Sequence, residues 1–220
     1  MIGCVDGPLF ELKKWNPVIQ SQWKKDRERG PVYSQRVDEM RLVKAQLSSM
    51  ADAEQEKWVG TIASVVDKET SIELRREAVL ALTEVINRPD AASTVMKLSR
   101  DKSEKVRLEV AKSLRKNTSA ETTQTLLAMA STDSNERVRL NATESLGTHR
   151  TNEVKDYLAK QLNVPNPAMQ YSVSQALKEF TGQDFRGDVS MWKRYLGGEA
   201  VEPVSPSLAE TIQSYLPFRR

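Results

Sequence analysis

Apolar residues recur at every fourth position in four stretches of the chain: Leu74, Ala78 and Leu82; Val106, Val110 and Leu114; Val138, Ala142 and Leu146; Met169, Val173 and Leu177. That spacing puts one apolar stripe on an α-helix and leaves its other side polar. The stretches align without gaps from Ser71, Ser103, Asn135 and Asn166, which gives periods of 32, 32 and 31 residues. Ser and Asn side chains accept hydrogen bonds from the unpaired amides of a first helical turn, so each stretch is predicted to start at such a cap. Pro167 follows Asn166 at the first helical position, where its fixed φ fits and its missing amide costs nothing.

A second, shorter apolar pattern precedes each of these stretches: Trp58, Ile62, Val65 and Val66; Val95 and Leu98; Leu126, Leu127 and Met129; Val154, Leu158 and Leu162. These read as the outer helix of each pair. Between pairs stand Pro89-Asp90, Asn117-Thr118-Ser119 and Gly147, the last expected to be a helix C-terminal cap. The predicted unit is therefore helix, tight turn, helix. A pair this small cannot cover its own apolar stripe, so neighbours must stack and share one elongated core. The expectation is an all-α solenoid of about four helix pairs with helical extensions at both ends.

Residues 1–50 lack the repeat. Val37, Met40, Val43 and Leu47 predict a helix that covers the open end of the first pair. A second reading of this segment stays open, because Lys13-Lys14-Trp15 and Trp23-Lys24-Lys25 set cations beside aromatics, as on membrane-surface or single-strand-binding segments. Glu11, Asp26 and Glu28 dilute that charge. After the repeats, residues 181–198 are expected to form a closing segment in which Trp192 seals the core. Residues 199–220 hold a Pro-rich linker, Pro203 to Pro206, and a capping-box helix from Ser207 with Leu208, Ile212, Tyr215 and Leu216 on one face. That helix either folds back or docks into another protein's groove.

The repeats resemble HEAT repeats, in the short-period variety found in phycobilin lyase subunits and in bacterial proteins. The resemblance spans about residues 53–180 and implies a right-handed α-solenoid. It also implies a ladder between repeats, in which an Asp in the inter-helix turn bonds an Arg early in the second helix. Asp101 and Asp133 match the Asp; Arg75, Arg107 and Arg139 match the Arg. Glu69 and Val164 stand where the first and last Asp would be, and Gln170 replaces the last Arg, so the ladder is expected to stop at the fourth repeat.

Composition narrows the chemistry. Lys and Arg number 33 against 30 Asp and Glu, a net charge of only +3, whereas a dedicated nucleic-acid binder clusters many cations. With one cysteine and one histidine, metal centres that need several such ligands are not expected, nor is an internal disulfide. His149 is expected to be a solvated loop residue without an orienting partner, and no glycine-rich phosphate loop appears. No apolar run approaches the roughly 18 residues that a membrane-spanning helix requires.

These features predict a non-catalytic scaffold with no cofactor that binds a protein through the concave face lined by the second helices. Candidates on that face are Glu73, Arg76, Glu77, Lys105, Glu109, Lys112, Arg137, Asn141 and Glu144. Their mixed charge favours a protein over nucleic acid as the partner. One alternative is a DNA-binding or base-excision enzyme resembling the alkylpurine DNA glycosylases. Trp15, Trp23 and Trp192 lie outside the repeats, however, which is wrong for an aromatic groove. The other alternative is a lyase-like subunit acting on a bound protein, although a shared repeat type does not transfer a function. Cys4, close behind the start, resembles the lipid-bearing residue of a bacterial lipoprotein whose leader would lie upstream. On that reading the N-terminus sits at a membrane surface in the bacterial envelope; as written, the chain is expected in the cytoplasm.

Overall fold

The computed structural model describes residues 33–202. Cys4, the two Trp-Lys segments and the helix expected from Ser207 lie outside the described residues. Among those described there is no strand, and there are ten α-helices. They are α1 (Tyr33–Leu47), α2 (Asp52–Val66), α3 (Ile72–Thr83), α4 (Pro89–Lys97), α5 (Glu104–Leu114), α6 (Ala120–Thr132), α7 (Glu136–Ser145), α8 (Asn152–Gln161), α9 (Pro167–Thr181) and α10 (Val189–Leu196). Short 3-10 turns, Leu98–Arg100 and Leu146–Thr148, follow α4 and α7.

Local chemistry sets the helix starts. The Ser71 hydroxyl accepts from the Leu74 amide at 3.3 Å, and Asn135 and Asn166 each accept from two first-turn amides. Ser103, expected to do the same, makes no side-chain cap bond; instead its own amide donates to Asp101 Oδ1 at 2.7 Å. Pro89 and Pro167 occupy the first turns of α4 and α9. Gly182 closes α9 in the left-handed conformation, φ 77°, where a side chain would strain the backbone.

Gly147 is not the cap that the sequence suggests. It sits in the 3-10 turn after α7 without a positive φ. A Cβ there would lie 2.8 Å from the Ala176 carbonyl oxygen and 2.9 Å from its Cα. The residue is small because the backbone of α9 passes directly against it.

Two rows of helices result. Helices α1, α3, α5, α7 and α9 each pack extensively on the next, whereas α2, α4, α6 and α8 meet their row neighbours over few residues. A tight row backed by a splayed row curves toward the tight one, so the second helices of the pairs line the inner face. The splay leaves a groove on the outer side between α4 and α6, bordered by Met96, Arg100, Gln124 and Thr132.

The core runs between the rows. Leu82, Leu114, Leu146 and Leu177 are fully buried at equivalent repeat positions, opposite Ile62, Val95, Leu126 and Leu158. In α2 the fully buried side chains are Val59, Ile62 and Val66, while Trp58 is half-buried at the core's margin. Helix α1 covers the first pair by joining the inner row against α3, with Val37, Val43 and Leu47 buried. At the other end Trp192 is buried, edge-on to Phe185 with ring centroids 4.6 Å apart. Among the described residues no helix is long and apolar enough to cross a membrane.

Candidate functional site

At the turn end of the inner helices the repeats are tied by arginine–carboxylate forks. Arg75 donates from Nε and Nη2 to Asp101 at 2.6 and 3.0 Å, and from Nη1 to the carbonyls of Glu69 and Thr70 at 3.0 and 2.9 Å. Arg107 repeats this with Asp133 at 2.8 and 2.9 Å and with the Asp101 carbonyl at 2.8 Å. Each Asp also accepts the amide two residues on, Ser103 at 2.7 Å and Asn135 at 2.9 Å. One acid therefore caps its own inner helix and clamps the arginine of the preceding repeat. Burial alone would raise both Asp carboxyls, but the arginine and amide hydrogen bonds outweigh it and hold them below the usual value of 3.8.

The ends of the ladder differ from each other. Among the described residues Arg139 bonds only carbonyls, those of Asp133 and Ser134, and Val164 stands where the next Asp would be. Gln170 takes the arginine's place and reaches the Val164 carbonyl at 3.0 Å. Toward the N-terminus the ladder gains a rung that sequence alignment does not reveal. Glu69 accepts from Arg36 of α1 and from the Ser71 amide. The Ser71 amide is the same two-residue partner that Asp101 and Asp133 use, but α1 lies outside the repeat register, so Arg36 is not visible from spacing.

The candidate concave residues fall into two groups. Arg41 of α1 pairs with Glu77 at 3.0 Å, and Arg76 pairs with Glu73 at 3.0 Å and Glu109 at 3.4 Å. Glu77, predicted to be exposed, is only 7% exposed: it faces the neighbouring helix and is neutralised by Arg41. This part of the face is self-paired. Further along, Lys105, Lys112 and Arg137 are exposed, and among the described residues they form no ion pair. Asn141 donates to the Arg137 carbonyl, and Glu144 is half-exposed. Between these cations run Leu108 and Leu140, half-buried at the core's edge, and Tyr171, 63% exposed.

The opposite ends of the inner helices carry a second set of polar ties. Asn117 Nδ2 donates to the Ile86 carbonyl at 2.7 Å and Thr148 to the Arg115 carbonyl at 2.8 Å; within the core, Thr83 donates to Ser113 at 2.6 Å. His149, predicted to be a solvated loop residue, is 1% exposed. Its Nδ1 lies 2.8 Å from Thr123 Oγ1, while Nε2 has no hydrogen-bond partner among the described residues. Burial pushes the imidazole below its ordinary value, with the Leu114 carbonyl acting weakly the other way. The signal that could have placed it is the register: His149 lies 32 residues after Asn117, a position that turns inward in that repeat as well.

Among the described residues no group of three or more His, Cys, Asp or Glu side chains could hold a metal ion. Residues 61–147 match the family of HEAT repeats. No curated protein matches the chain.

Proposed function

We propose that this chain, a HEAT-repeat protein over residues 61–147, is a non-catalytic scaffold that holds a protein partner on its inner face. HEAT repeats typically mediate protein–protein interaction. The observation that carries the reading is how the inner helices divide their surfaces. One side of α5 and of α7 is consumed by core residues and a ladder arginine, while the other presents Lys105, Leu108 and Lys112, then Arg137, Leu140 and Glu144, in matching register from one repeat to the next. A curved row of equivalent, outward-facing side chains is the extended binding surface that solenoids offer.

The test is site-specific photo-crosslinking of the full chain in its native cells. Crosslinkers at Glu144 or Gln175 on the inner face should capture the same protein, and one at Ser93 on the outer row should not. Capture from Ser93 alone would refute the inner-face assignment.

A further inference from the structure

We infer that the docking segment of the partner is acidic and amphipathic, and that it lies across α5, α7 and α9. This rests on the binding role proposed above.

One repeat position is occupied in turn by Arg76, Leu108, Leu140 and Tyr171. Arg76 is already committed to Glu73 and Glu109. The next three are apolar and sit at one repeat position on consecutive inner helices, so an apolar ridge begins where the self-paired region ends. The register is fixed by contacts between those helices: Asn135 donates to Glu104, and Asn166 to Glu136 at 2.8 Å. Packed helices lie about 8–10 Å apart, so three such positions span about 16–20 Å. That length equals roughly three to four turns of an incoming helix. Tyr171, more than half exposed at the ridge's end, offers an aromatic anchor of the kind that dominates docking energetics.

Charge selects the occupant. Lys105 and Arg137 stand one helical turn before the ridge, and Lys112 one turn after it on α5, where α7 carries Glu144 at the equivalent position, so the cations concentrate on the near side. None is neutralised within the described residues, in contrast to Arg41 and Arg76. A segment with an apolar stripe bordered by carboxylates fits both the ridge and the cations. A nucleic-acid backbone fits less well. Glu109 and Glu144 lie beside the same ridge, and a continuous polyanion cannot avoid them, whereas a peptide can place a neutral residue there.

The experiment uses the full chain and two labelled synthetic peptides of about 16 residues, long enough to cross the ridge. Both carry the same leucine stripe; one has Glu and the other Lys at the flanking positions. An oligothymidylate is the third probe. The acidic peptide should bind in fluorescence anisotropy and the lysine peptide should not. Lys112→Glu with Arg137→Glu should weaken acidic-peptide binding about tenfold or more, and Tyr171→Ala about threefold to tenfold. Circular dichroism checks that these exposed substitutions leave the fold unchanged. Equal binding of the lysine peptide, a preference for the oligonucleotide, or no effect of the double reversal overturns the inference. Failure of the acidic peptide with inner-face crosslinks retained overturns this inference alone. Loss of the crosslinks as well removes the binding role beneath it.

Discussion

Arg115 and Glu179 are 64 residues apart in sequence and form an ion pair that bypasses the repeat between them. Arg115 follows the last residue of α5 and Glu179 belongs to α9; the turn after α7 lies between, its Thr148 hydroxyl bonded to the Arg115 carbonyl. The reach is short enough because Gly147 occupies that turn. A Cβ on Gly147 would stand 3.2 Å from the Glu179 Cβ and closer still to the backbone of Ala176.

Gly147→Ala should therefore destabilise the protein. An ordinary Gly-to-Ala change in a helical segment gains up to about 1 kcal/mol, and Gly147 has no positive φ to forbid it. The clash is with backbone, so α9 must shift, and overpacking of this kind costs about 1–3 kcal/mol. Urea denaturation of the two proteins decides the sign. A stabilised variant would mean that α9 leaves room for a side chain at this turn.

Arg75 and Asp101 should behave as one unit. Their side chains are only 4% and 6% exposed, so removing either strands a buried charge, at a cost of about 3–5 kcal/mol. The double change Arg75→Ala with Asp101→Ala should cost clearly less than the sum, with a coupling of at least about 1 kcal/mol in a double-mutant cycle. Additive losses would reduce the ladder to two independent contacts.

Acid should act in two windows. His149 has a folded-state value depressed below 6.5 by burial, so the unfolded chain takes up its proton first. The stability it contributes is complete above about pH 6.5 and is lost as pH falls through the folded value, by at most about 1.4 kcal/mol per pH unit. Asp101 and Asp133, depressed below 3.8, hold their contribution above about that pH and lose it lower still. Denaturant titrations at successive pH values should show His149→Gln removing the first window and leaving the second. An unchanged first window would assign it to another group.

Trp192→Ala should loosen one end of the array before the other. Losing a buried Trp costs about 3–5 kcal/mol, and in a stacked array the damage falls first on nearest neighbours. Hydrogen exchange should quicken in α9 and α10 while α3 and α5 keep their protection. Uniform loss across all helices would show that the array unfolds as a single unit.

The repeats and their core were legible in the sequence because both follow from periodicity. The four-residue stripe ending at Leu82, Leu114, Leu146 and Leu177 fixes which side of each helix is buried, whatever the neighbours are. The ladder partners came instead from the resemblance to HEAT repeats, which matched Arg75 and Asp101 to the positions of that family's ladder. Beyond the burial of Glu77 and the missing cap bond of Ser103, three more things escaped. Arg36 meets Glu69 through a helix outside the repeat. His149 appears polar among polar neighbours, yet its place after an inner helix turns it inward. Gly147 resembles a cap and is instead a point of contact between backbones.

Periodicity along the chain determined that helices pair, stack and bury one stripe each, since a stripe must find cover for any helix to persist in water. Which charged side chains cancel one another, where the inner face keeps cations without an ion pair among the described residues beside Leu108, Leu140 and Tyr171, and how closely α9 approaches α7 were decided only by the stacking. Those depend on distances between helices, and distances between helices come from the packed volumes of both partners together.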